Sequence, residues 1–273
     1  MERERPVADF IGGIMSNSYW AERVERAQSA ITNKSQKQID KQLRKYYATA
    51  ARKAIQDFES VYNKILSTIE EGKQITPADL YKLDKYWEAQ AALRHLLQQL
   101  GERQVALLTK NFELDFFEIY YSFAIPGSEA FNTIDAAGAQ TLINSIWVAD
   151  GKTWSDRIWT NTERLAQTLN EELVNCVVTG KKTTELKKTL QERFNISYRR
   201  ADTLVRTELA HIQTVAAQKR YQDYGIKEVE VLVDIDHRTC DDCKEINGKK
   251  FPINQAPTLP LHPNGRCCLV PVI

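Results

Sequence analysis

The chain has 273 residues, 42% hydrophobic and 27% charged, with a formal net charge of +1. That composition excludes the disordered and fibrous classes and supplies enough apolar material for one or two domains with real cores. The balanced charge excludes a bulk polycation, and no run reaches the roughly 18–20 apolar residues that span a bilayer, so no membrane partner is expected.

The opening MERERPVADFIGGIM lacks the apolar centre of a secretion signal, and the chain is read as intracellular when made. From residue 36 to 71, Ile39, Leu43, Tyr47, Ala50, Ala54, Phe58, Val61, Ile65 and Ile69 recur at steps of three and four, which predicts one long amphipathic helix stopped by Gly72. At 1.5 Å per residue it would be roughly 50 Å long, more than a small domain needs. It is therefore expected to carry the main assembly surface, with Tyr46, Tyr47, Phe58 and Tyr62 as aromatic anchors. Thr76 then reads as an N-cap with Pro77 at the first helical position, opening a second helix that Gly101 closes. A third helix runs from 102 to about 124, where Ile-Pro-Gly-Ser at 125–128 breaks it.

After a looser stretch, residues 154–178 read as a helix with Trp159, Leu165, Leu169, Leu173 and Val177 inward and Gly180 as its stop. A short helix over 183–194 follows. Ser197 is then expected to cap a further helix to about Tyr224, with Ala201, Leu204, Val205, Leu209, Ile212 and Ala216 on one face and Gly225 ending it. Beyond it the period changes to two: Val229, Val231 and Val233 alternate as in a strand. Asn247-Gly248 is the usual two-residue hairpin signal, and the closing CLVPV suits an edge strand because Pro271 cannot donate to a central ladder. The expected fold class is mainly α with a small C-terminal α+β module. The expected division is an extended helical assembly region, 1–150, and a module over 151–273 that ends in a Cys/His knuckle.

Charge is unevenly placed. Residues 33–53 hold seven Lys/Arg against one acid, and residues 181–200 seven against two. Such runs are solvated helix faces or the docking face for an anionic partner; Lys181, Lys182, Lys187, Lys188, Arg199 and Arg200 are the candidates for contact with DNA or an acidic protein.

Four of the five cysteines lie between 240 and 268, while Cys176 reads as a small core residue. Cys240 and Cys243 have the spacing that lets two thiolates close on one ion from a tight turn, and His262, Cys267 and Cys268 follow. Three sulfurs and an imidazole suit tetrahedral zinc, and four protein ligands would leave no position for a reactive water, so the expected cofactor is one structural zinc ion. Buried unligated thiols, or a disulfide, are the bland alternatives. A His-Asn-His-like nuclease reading of Asp236-His237 needs a helix after the hairpin, whereas Asp236 is more simply the side-chain cap of the turn before Cys240.

The ordered stretches ADTLVRTELAHIQTVAAQKRYQDYG, DIDHRTCDDCKEINGKKF and PLHPNGRCCLVPV resemble the head morphogenesis domain of tailed bacteriophages, the Mu F-like minor head proteins. NSYWAERVERAQ and GKTWSDRIWTNTERLAQTL are also similar to minor head proteins of phages from Gram-positive hosts. The resemblance implies a non-enzymatic, low-copy head component in the virion, made in the host cytoplasm. Its implied partners are the portal protein, other head components and packaged double-stranded DNA, with no small-molecule substrate. Cys240, Cys243, His262 and Cys267 map onto the family pattern, but Gly265 stands where that pattern has a cysteine and Cys268 is extra, so either Cys267 or Cys268 completes the set. Arg206 and Glu208 of the Arg-Thr-Glu element are expected to pair with Asp236 and Arg238, locking the knuckle to the helix before it. The competing reading is a zinc-dependent DNA-binding module acting outside any virion, for which the two basic runs speak.

Overall fold

A computed structural model describes residues 17–68, 75–123 and 133–272. The expected stop at Gly72 and the break at 125–128 lie outside the described residues. The order is α1 (Asn17–Thr68), α2 (Pro77–Tyr81), α3 (Asp84–Ser122), α4 (Ala136–Ile143), α5 (Trp154–Val178), α6 (Thr183–Asp223), β1 (Glu228–Val233), α7 (Asp241–Ile246), β2 (Lys250–Pro252) and β3 (Cys267–Val272). The fold is mainly α with a small C-terminal sheet. No described helix is long and apolar enough to cross a membrane.

The chain forms two compact units, each assembled from separated stretches: 1–37, 109–151 and 203–273 in one, 38–108 and 152–202 in the other. In the second unit Tyr47, Phe58, Tyr62 and Ile65 of α1 pack with Leu93, Leu97 and Leu100 of α3, Leu165, Leu169 and Leu173 of α5, and Leu190 and Phe194 of α6. The rings of Tyr47, Phe58 and Tyr62 are thus core groups and not assembly anchors, because the long apolar stripe of α1 is already covered inside this unit. Tyr47 is also a polar hub: its hydroxyl donates to Gln104 and accepts from Asn161.

The first helix begins at Asn17, well before the expected residue 36, and three further helix boundaries differ from the sequence expectation, each for a packing reason. Thr76 is the expected N-cap and forms a capping box with Asp79, but α2 lasts five residues, and the indole N–H of Trp87 in α3 donates back to the Tyr81 carbonyl at the corner. Gly101 does not end a helix. It lies buried inside α3, where a Cβ would stand 2.9 Å from Cε3 of Trp159, so the missing side chain makes room for the indole. Trp159, expected inward, covers that spot while remaining partly exposed. Ser197 is likewise no cap; it is buried in the middle of a continuous α6, and its carbonyl accepts from Asn161. The stop of α5 is as expected: Gly180 has φ +63°, and the amides of Gly180 and Lys181 bond back to Val177 and Cys176.

The Gly101–Trp159 contact makes a signed prediction. Gly101→Ala should lower stability by about 1–2 kcal/mol through overpacking. In a Trp159→Ala background the same change should stabilise by up to about 1 kcal/mol, since only the helix propensity of alanine over glycine remains. Urea unfolding of the four proteins checks the reversal of sign.

In the first unit, α1, α3 and α6 bury Trp20, Val24, Phe112, Phe116, Leu209, Ile212 and Tyr221. Here β1 sits at the centre of a three-stranded antiparallel sheet in the order β2-β1-β3. Val229, Val231 and Val233 are its buried alternate residues, and β3 is the edge strand that Pro271 requires. Asn247-Gly248 is a different device from the expected hairpin: the piece before it is α7, a helix. The Asn247 side chain accepts from the Val233 amide, and Gly248, at φ +76°, donates to the Val231 carbonyl, which turns α7 into β2.

Candidate metal centre

The loop from β1 to α7 is built by short-range bonds. Asp236 accepts from the Arg238 amide and its amide donates to the Thr239 hydroxyl, the side-chain-capped turn expected before Cys240. Arg266, the residue before β3, pairs with Asp234 and with Asp236 at 2.7 Å, tying the entry of β3 to this turn. The Arg238 bonds, the backbone one first, and Arg266 hold the Asp236 carboxyl well below the usual range. Cys240 then caps α7, its sulfur accepting from the Cys243 amide at 3.4 Å.

The second half arrives on the Pro-rich loop before β3. His262 Nε2 lies 3.2 Å from the sulfurs of both Cys240 and Cys243. Its Nδ1 is 3.0 Å from the Pro263 carbonyl, which can only accept, so the proton sits on Nδ1 and the Nε2 lone pair faces the thiols. The donor atoms of Cys240, Cys243 and His262 lie within 4.8 Å of one another, close enough to hold one metal ion. Tetrahedral zinc with bonds of 2.0–2.3 Å needs neighbouring donors about 3.5–3.8 Å apart, so these residues fit such an ion after small outward movements.

Cys267 and Cys268 are adjacent on β3 and point to opposite faces. Cys267 stands opposite Val233, with its sulfur 3.5 Å from that of Cys243, whereas Cys268 stands opposite Leu232. Gly265 cannot be replaced by a ligand without rearrangement: a Cβ there would meet Pro260 Cβ at 2.7 Å and the His262 carbonyl at 3.1 Å. The cysteine of the resembled pattern thus has no room at 265 in this loop, and the chain offers Cys267 two residues later.

Electrostatics separates the thiols. The Cys243 amide, with His262 in a smaller role, lowers the Cys240 thiol from its ordinary value. Burial pushes Cys243 and Cys268 up to about 12 and also raises Cys267. His262 is raised, first by its bond to Pro263. A divalent ion would supply the positive charge that buried thiolates lack.

Arg206 is exposed and Glu208 buried, since residues two apart leave a helix on different sides. Glu208 accepts from the Trp147 indole at 2.9 Å; Arg206 faces Gln36, whose amide oxygen, turned toward it, accepts from Nε at 2.7 Å. Of the basic run, Lys182, Lys188, Arg199 and Arg200 are exposed, and Lys187 pairs with Glu59 at 2.7 Å. Sequence reasoning missed Arg266, Thr207 and His211. The position of Arg266 beside Cys267 and that of Thr207 inside the Arg-Thr-Glu element were the available signals, whereas the reach of His211 depends on how the closing loop folds over α6.

Residues 167–270 match the family model described as Phage Mu protein F like protein. The NAD(+)–arginine ADP-ribosyltransferase EFV of Enterococcus faecalis is 28% identical over 116 residues, covering 41% of this chain and 24% of that protein. The chain therefore spans about a quarter of this curated relative. No solved structure matches. The matched stretch contains all the candidate ligands, and over residues 167–270 the chain is similar to the Mu F-like family.

Proposed function

We propose that the chain is a structural minor head protein of a tailed bacteriophage or prophage, acting in head assembly at the portal vertex and in packaging or delivery of DNA. The observation that carries this reading is the coincidence of the Mu F-like stretch with a convergent Cys/His knuckle. In the proposal Cys240, Cys243, His262 and Cys267 hold one zinc ion, which supplies cross-linking and no reaction, because a full set of protein ligands leaves no open position. The exposed Lys182, Lys188, Arg199 and Arg200, with Lys181 and Lys187 beside them, are the proposed contact for DNA or an acidic portal surface. The ADP-ribosyl transfer in that relative's name is not carried over, since the match covers only 24% of that protein.

Co-expression with the portal protein of the same phage provides the test. A stable complex with the portal ring is expected, together with detection of the chain in purified heads by mass spectrometry. Reversal of Lys182, Lys188, Arg199 and Arg200 to Glu should lower head yield or DNA retention at an unchanged melting temperature. Absence from heads, with steep salt-dependent DNA affinity of the free protein, would favour the DNA-binding module instead.

A further inference from the structure

We infer that Thr207 and His211 of α6 are positioning residues for the His262 ligand; the inference rests on the metal reading above. Thr207 and His211 are four residues apart, hence on one face of the helix, and both are buried. The loop before β3 lies on that face. His211 Nδ1 is 2.8 Å from the Leu259 carbonyl, and the Asn264 amide donates to Thr207 Oγ1 at 3.1 Å. These two bonds bracket His262, one three residues before it and the other two after.

Each grip is itself fixed. The Thr207 hydroxyl spends its proton on the Thr203 carbonyl at 2.7 Å, which leaves its lone pairs for Asn264. Asn264 has φ +60°, a conformation asparagine tolerates better than most residues. At His211 the carbonyl partner can only accept, so the proton is on Nδ1; Nε2 is buried with no hydrogen-bond partner among the described residues. The Trp147 indole stacks on the imidazole with centroids 4.1 Å apart and planes 12° from parallel, and Glu208 holds that indole through Nε1. A continuous path Glu208–Trp147–His211–Leu259 therefore runs from the helix to the loop.

The loop needs such support because it has little burial of its own near the ligand: Leu261 is 40% exposed, and His262, Pro263 and Asn264 are not buried. Residues that orient a ligating histidine from behind typically contribute ten- to hundredfold in metal affinity. This gives the threonine of the Arg-Thr-Glu element a role, as the acceptor that ends the ligand loop.

The experiment uses the full chain, with zinc(II) affinity read by competition with a chromophoric chelator and the ligand set read from the absorption of the cobalt(II) form. Thr207→Val, which keeps the shape and removes the acceptor, should weaken zinc about ten- to hundredfold and shift the cobalt spectrum toward that of His262→Ala. Thr207→Ser should restore both to near wild type. His211→Phe, which keeps a ring against Trp147 but loses the N–H, should behave like Thr207→Val. Wild-type affinity and spectrum in Thr207→Val would overturn the inference while leaving the metal centre standing. Failure of the wild type to bind either ion would overturn the metal reading and this inference with it. Should His211→Phe not fold, the contrast between the two Thr207 variants decides.

Discussion

Chelation of the metal is expected to unravel residues 234–266 while the core of α1, α3, α5 and α6 around Phe58 and Leu169 stays folded. Little in this segment can hold it otherwise. Its buried apolar side chains are few, chiefly Cys243, Ile253 and Leu259, and α7 has six residues, too short to persist without tertiary support. A structural zinc supplies on the order of 10 kcal/mol of apparent binding energy, and in a small module that is folding energy. Elemental analysis should find about one zinc per chain. Hydrogen exchange with and without chelator should show the loss of protection confined to the knuckle and its loops. Cys240→Ser should abolish metal binding, and Cys268→Ser should not, because Cys268 faces the other side of β3. A metal-free wild type whose C-terminal protease resistance survives Cys240→Ser would mean that the Asp236–Arg266 pairing and the sheet suffice.

The second large effect is a pair of opposed pH dependences in the same unit. Burial lowers His211 to about 4, so between pH 6.5 and 4 the unfolded chain takes up a proton that the folded chain refuses, and stability falls as pH falls. Asp115 has the opposite sign. Burial, outweighing its bond from Ser35, raises it to about 6, so between pH 6 and 4 the folded chain takes the proton first and stability rises on acidification. Each displacement corresponds to about 3 kcal/mol, so in the wild type the two largely cancel. Relative to wild type, Asp115→Asn should lose about 3 kcal/mol between pH 7 and 4, and His211→Phe should gain about as much. Urea midpoints across that range give the answer, and parallel profiles for all three proteins would refute both assignments.

What the sequence by itself determined is whatever depends on neighbours along the chain. The period of two in Val229, Val231 and Val233 specifies β1 because a strand alternates its faces whatever covers it. The Thr76 N-cap, the Gly180 stop and the Asp236 turn are closed by partners within a few residues, and all three stand as read. Cys240 and Cys243 are likewise brought together by one turn of chain. Tertiary structure decided the positions where a local signal has two physical uses. Glycine at 101 can end a helix or admit a ring, and the indole of Trp159 chose the second. Ser197 can cap or be buried, and packing against Tyr47 and Asn161 kept α6 continuous through it. The aromatic stripe of α1 could serve a partner or a core, and α3, α5 and α6 cover it. Which of two adjacent cysteines faces Cys243 followed from the pairing of β3 with β1, and the roles of Thr207, His211 and Arg266 from where a loop remote in sequence comes to rest. Register and loop placement are set by long-range burial, and a one-residue slip in strand register turns every side chain of that strand to the opposite face.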